Sequence, residues 1–237
     1  MINNMDCKQI VETIIHVIPA IASLWVAIIA TIALSTWKHQ TRAQIHIQFM
    51  NELIDSTHEY IQEMLAIVGR LKFIKIRFDT HSETPTLTGN DGAITFIKQR
   101  GKNIEQELLG YLKDKAAPAM KRMIPLATKG QVLNFKDYSQ CYDACKELSQ
   151  SYEQIMAFAI FMGQQNLNWD NQEVRSTLGC VKGLNPDTIK KNLEDQNKIL
   201  LEFVKQNYQI FIGQQKSGGL RKCIGKKLNC LCPKQKN

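Results

Sequence analysis

Cys223, Cys230 and Cys232 lie in the last fifteen residues of the 237-residue chain, among Lys222, Lys226, Lys227 and Lys234. Cysteine thiolates are zinc ligands. Cys180, Cys141 or Cys145 would have to supply a fourth ligand. The spacing argues against such a site, because Cys230-x-Cys232 is tighter than the two-to-four-residue gap of a zinc knuckle. The five histidines, His16, His39, His46, His58 and His81, offer no better set. His58-Glu59 lacks the second histidine that a zincin helix places four residues after the first. His39 and His46 share a helix face that reads as solvated. The chain has no Walker loop, dinucleotide fingerprint or nucleophile elbow. It is therefore expected to be no enzyme and to hold no cofactor.

The same tail supplies a different chemistry. From Lys216 to Asn237 there are seven basic residues, including Lys216, Arg221, Lys222, Lys226 and Lys227, and no acid. Leu220, Ile224, Leu228 and Leu231 alternate with them, and Ser217-Gly218-Gly219 makes a flexible joint. Such a segment can lie on anionic lipid, at about 1 kcal/mol per Lys or Arg. It can also bind nucleic-acid phosphate without reading sequence, since no aromatic side chain stands among the charges. Zinc binding and simple solubilisation complete the alternatives. The net charge of +8 belongs mostly to this tail, because residues 38–215 carry 22 basic and 20 acidic side chains.

The elements that would position these groups begin at the other end of the chain. Residues 13–37, from Thr13 through Trp25 to Trp37, contain no charge, and eleven of them are Ile, Leu or Val. As a helix they extend about 37 Å, enough to cross a hydrocarbon core of about 30 Å. A secretory signal has a shorter apolar run behind a basic start, whereas MINNMDCKQIVE carries two acids and one lysine. A buried soluble helix would show a polar face. The sequence predicts a permanent span, with Trp37 as an interfacial anchor and Pro19 as a point of bending. Lys38 and Arg42 follow the span and only Lys8 precedes it, which places residues 1–12 outside and residues 38–237 in the cytoplasm. No Asn begins an Asn-x-Ser/Thr sequon, and seven cysteines are too sparse for a disulfide scaffold, both consistent with a reducing compartment.

Beyond the span the predicted class is all-α: a cytosolic helical domain over 38–215, followed by the basic, Cys-containing tail 216–237. Ile47, Ile54, Ile61 and Val68 fall seven apart, as do Met50, Thr57, Met64, Leu71 and Phe78. This seam suits a helical bundle or self-association through a membrane-proximal coiled coil. LKFIKIRF (71–78) also alternates like a strand, which leaves the end of this helix open. A further helix is expected from Ala93 to about Lys115, weakened at Gly101 and broken by Pro118 and Pro125. Asn134 is a candidate cap for the next, which carries Tyr138, Cys145, Ile155 and Met162. Its IMAFAIFMG reads first as buried core; extended over 152–167 it is also a marginal second membrane segment. Asn185-Pro186-Asp187 predicts a helix start. Ile160–Gln165 and Ile210–Gln215 match at five of six positions.

The Ile14–Trp37 span, the Trp37-Lys38-His39-Gln40 exit and the amphipathic FMNELIDSTHEYIQEML (Phe49–Leu65) resemble the small inner-membrane proteins of bacterial anti-phage cassettes, particularly retron-associated transmembrane effectors. The resemblance covers the first third of the chain. It implies a toxin-like effector at the cell inner membrane, restrained by partner proteins or a nucleoprotein of the same cassette and released on infection. The released effector would impair the membrane and cause abortive infection. The resemblance also implies two membrane segments, for which 152–167 is the only second candidate. A membrane-tethered adaptor that recruits a cytosolic partner is the alternative reading.

Overall fold

A computed structural model describes the backbone of residues 7–82 and 90–217, and the side chains of residues 16–81 and 90–210. Every regular element among the described residues is a helix, with no strand. The helices are α1 (Cys7–Ser82), α2 (Asp91–Tyr111), α3 (Ala117–Gly130), α4 (Tyr138–Gly163), α5 (Gln172–Gly183) and α6 (Pro186–Ser217). A π-helical turn, Leu112–Ala116, joins α2 to α3. The chain divides into two units, residues 1–48 and residues 49–237.

The second unit is a helical bundle. From α1 it buries Met50, Leu53, Tyr60, Met64, Ile67, Leu71 and Phe78; the core also takes Ile97 and Leu108 of α2, Met123 of α3, Leu148 and Ile155 of α4, and Leu193 of α6. The heptad row is therefore spent inside the molecule. Ile61 and Val68 are buried too, while Ile47 and Ile54 are half-buried. Tyr60 spans the core and donates its hydroxyl to the Leu148 carbonyl at 2.8 Å. A buried phenol needs such a partner.

LKFIKIRF is helix rather than strand. Leu71, Ile74, Lys75 and Phe78 point inward at helical spacing, and Phe73 and Ile76 point out. The alternation is a by-product of two apolar rows on opposite helix faces. The inward Lys75 is paired with Asp79 and lies 5.6 Å from the Phe78 ring centre.

Neither proline ends its helix. A straight α-helix would drive the Pro118 ring into the carbonyl four residues back. The chain avoids this by widening the preceding turn: the Ala117 N–H donates to the Leu112 carbonyl, five residues back. Lys113, Asp114 and Lys115 are exposed there, so carbonyls freed from the ladder meet water. Pro125 lies on the exposed side of α3, opposite the buried Met123 and Ala127, where a missing N–H costs least.

Gly101 does not weaken α2 either. A Cβ at this position would lie 1.8 Å from the Met162 carbonyl oxygen of α4, so the glycine lets the two backbones touch. Asn134 does not cap α4, which starts at Tyr138 after Asn134 and Asp137 adopt left-handed backbone (φ 51° and 56°). This loop is held by stacking. Phe135 lies 5.2 Å from Phe49, and Phe203 of α6 meets Phe135 and Tyr138 edge-on at 5.7 and 5.6 Å. Asn207 of α6, buried, donates to the Lys136 carbonyl at 3.4 Å and the Phe203 carbonyl at 2.9 Å.

The α6 start follows its sequence signal: Asn185 Oδ1 accepts from the Asp187 N–H at 2.9 Å, with Pro186 in the first turn. Ile189, Leu193, Leu200, Phe203 and Val204 are buried as the pattern requires. Helix α5 is additional to the elements expected from sequence; Asn171 Oδ1 caps it by accepting from the Glu173 N–H at 2.7 Å. The two similar hexapeptides behave differently, since α4 ends at Gly163 whereas α6 continues through Gly213.

Candidate membrane-spanning segment

Among the described residues, α1 alone is long and apolar enough to cross a membrane. Every described side chain from His16 to Gln40 is exposed, including Val17, Ile18, Ile21, Leu24, Trp25, Ile28, Ile29, Ile32 and Trp37. The backbone of Thr13 is helical and its side chain lies outside the described set. In water an apolar surface this continuous is strongly unfavourable. In lipid the eleven Ile, Leu and Val residues of 13–37 contribute roughly −3 to −7 kcal/mol.

Three hydroxyls of this stretch have partners that do not depend on water. Ser23 Oγ donates to the Pro19 carbonyl at 2.8 Å, Thr31 Oγ1 to the Ala27 carbonyl at 2.8 Å and Thr36 Oγ1 to the Ile32 carbonyl at 2.9 Å. Each of these three hydroxyls is satisfied within its own helix, which removes most of the cost of taking it into hydrocarbon.

The second candidate segment, 152–167, is built differently. Ile155, Phe158, Ala159 and Met162 are buried in the bundle, and α4 ends at Gly163. Four core positions would have to leave their partners before this stretch met lipid.

Cys223, Cys230 and Cys232 lie outside the described residues, as do Arg221, Lys222, Lys226 and Lys227; only the backbone of Lys216 is described, at the end of α6. Cys141 and Cys145 are buried one turn apart in α4, while Cys180 is exposed. The hydrogen bond with Cys145, and then burial, hold the Cys141 thiol far above the ordinary thiol range. Such a thiol is a small core residue rather than a nucleophile or a ligand. No group of three or more His, Cys, Asp or Glu is placed to hold a metal among the described residues.

His46 is the one histidine that sequence reasoning placed on a solvated face and the structure buries. Burial, and then the Arg42 charge one turn back, push its pKa below the usual imidazole value. A depressed folded pKa means that the neutral ring stabilises the fold above about pH 6.5, and that this contribution is lost as pH falls through the folded pKa. Melting of the detergent-solubilised chain is expected to drop between pH 7.5 and 5.5, with a smaller drop in His46→Gln. Equal drops in the two proteins would remove His46 as a cause.

No protein-family model, no characterised protein and no solved structure matches this chain.

Proposed function

We propose that the protein is a membrane-anchored, toxin-like effector of a bacterial antiviral defence system, of the retron-associated kind that its first third resembles. It acts at the cell inner membrane, with residues 1–12 outside and the bundle in the cytoplasm. The observation that carries the reading is the uncovered apolar surface of α1 between His16 and Trp37, which only lipid or another such helix can bury. The burial of Ile155, Phe158, Ala159 and Met162 narrows the mechanism. Damage to the membrane comes from α1 itself, assembled with copies of its own span, rather than from insertion of α4. In the resting cell the bundle is held by a protein or nucleoprotein of the same defence cassette, and the basic tail rests on anionic lipid.

The test is an anchor exchange. Expression of the native chain without its restraint should depolarise the inner membrane, read with a potential-sensitive dye. Replacing residues 13–37 by an unrelated single-pass anchor of equal length should abolish the effect while the protein stays in the membrane fraction. Depolarisation by the exchanged protein would remove α1 as the damaging element. The locked position of 152–167 favours the tethered adaptor as second reading, and that reading gains if the native chain leaves the potential intact even in infected cells.

A further inference from the structure

Asn192 of α6 donates to Ser151 of α4 at 3.2 Å, and Asn207 reaches the Lys136 carbonyl just ahead of α4, so the two helices run antiparallel. A groove opens between them, lined by Asp137, Gln140, Ile199, Glu202, Phe203 and Gln206. None of the six is basic. Phe203 and Ile199 supply the apolar part of the lining, and Ile199 is 38% exposed. The α4 wall extends this lining with acid. Gln140, Asp143 and Glu147 fall at three-four spacing, so Asp143 and Glu147 continue the side of α4 that Gln140 turns to the groove. The carboxylates of Asp137, Asp143 and Glu147 have no hydrogen-bond or ion-pair partner among the described residues.

On the α6 wall charge is balanced, with Lys205 3.7 Å from Glu202 and Lys198 3.0 Å from Asp195. Lys136 precedes Asp137, and Lys146 stands about 100° round the helix from Glu147. The α4 wall is left with the three carboxylates against one ammonium, that of Lys136. An apolar groove with an acidic wall calls for a segment that alternates apolar and basic residues.

The chain carries such a segment at the end of the helix that forms one wall. Residues 216–237 hold seven Lys or Arg and no acid, interleaved with Leu220, Ile224, Leu228 and Leu231. From Gln206 to Ser217, α6 runs on for about 17 Å at ~1.5 Å per residue. Past the Ser217-Gly218-Gly219 joint, about six extended residues at ~3.3 Å each cover that distance in return. Lys226 and Lys227 then come level with Asp137. Leu228 and Leu231 are left for Phe203 and Ile199, and Lys234 and Lys236 for Asp143 and Glu147.

We propose that the basic tail, residues 220–237, folds back and seats in the α4–α6 groove of its own molecule. The groove and anionic lipid compete for the same charges, so this seat is filled when lipid does not hold the tail. Tail position is read without lipid and without membrane damage, so the seat can fail while the anchor reading stands.

The test uses the full chain in uncharged detergent micelles at low salt. Carbodiimide joins a lysine to a carboxylate where the two touch. It should join Lys226 or Lys227 to Asp137, and Lys234 or Lys236 to Asp143 or Glu147, within single chains. Trypsin gives the second readout. Tail cleavage should be about five-fold slower or more in the native chain than in Asp137→Asn/Asp143→Asn/Glu147→Gln. The difference should vanish at about 1 M salt, where charges are screened within about 3 Å. The variant keeps its fold, because all three side chains are exposed and Asn accepts the left-handed backbone of residue 137. Equal cleavage of the two proteins at low salt, or tail lysines joined mainly to other carboxylates, would overturn the proposal. So would cross-links confined to dimers, which would give the groove to the tail of a second copy.

Discussion

Arginine at both Ile28 and Ile29 will move the protein out of the membrane fraction. The two positions lie in the middle of the 13–37 stretch, where depth makes charge most costly. Each arginine adds about 2.5–3.5 kcal/mol and each lost isoleucine removes about 0.3–0.6 kcal/mol of favourable transfer, a penalty of roughly 6–8 kcal/mol for the pair. The whole apolar set contributes only roughly 3–7 kcal/mol in the other direction, so the balance changes sign. Both side chains are exposed and belong to the unit ending at Gln48, so the bundle of residues 49–237 keeps its own core. Alkaline extraction of broken cells is the measurement. The native chain should remain in the pellet and the double variant should be released. Retention of the double variant would mean that something other than the 13–37 stretch holds the protein to the membrane.

Gly101→Ala should cost the bundle about 3 kcal/mol, the upper part of the range for overpacking. The reason is the identity of the obstacle. The new methyl would meet the carbonyl oxygen and carbon of Met162, at 1.8 and 2.9 Å, and neither can rotate away as a side chain can. Helices α2 and α4 would have to separate, loosening Ile97 and Ile104 on one side and Phe158 and Met162 on the other. Gly179→Ala in α5 is the matched control. Nothing lies within 4 Å of its added methyl, so it should be neutral or stabilising by about 0.5–1 kcal/mol, the ordinary gain of alanine over glycine in a helix. Denaturant unfolding of the two variants in micelles decides the matter. Equal stability would show that α2 and α4 can part without cost.

These two sites also mark the limits of reading the sequence. The 13–37 stretch was legible as a long apolar helix because length and apolar composition are properties of its own residues and need no knowledge of the rest of the chain. The α6 start was legible for the same reason, since Asn185, Pro186 and Asp187 act on the first turn they belong to. Gly101 was misread as a weak point because its role is set by the Met162 backbone in another helix. Pro118 was misread as a break because the effect of a proline depends on whether the preceding turn can widen, and here it does. Asn134 looked like a cap, but two left-handed residues and the Phe49–Phe135 stack carry the chain three residues further before α4 begins. Helix α5 was missed because it buries only Leu178 and Val181, too few for a periodic signal; Asn171 two residues before Glu173 was the available clue.

The heptad row illustrates a different ambiguity. Sequence spacing identified Ile61 and Val68 as facing a partner helix, and spacing alone cannot say whether that helix belongs to the same molecule. The structure places them inside the bundle and leaves Phe73 and Ile76, hidden in a strand-like stretch, on the outside.

The widened turn at Leu112–Ala116 governs how this chain can change in length. One residue gained or lost within an ordinary helix rotates everything beyond it by about 100°, which would swing Met123 and Ala127 away from the core. A turn that already holds a surplus residue is where a deletion could be taken up without that rotation, except that Pro118 follows directly and depends on the surplus being there. Length and proline are thereby tied: a descendant of this sequence that loses a residue between 112 and 116 must lose Pro118 as well.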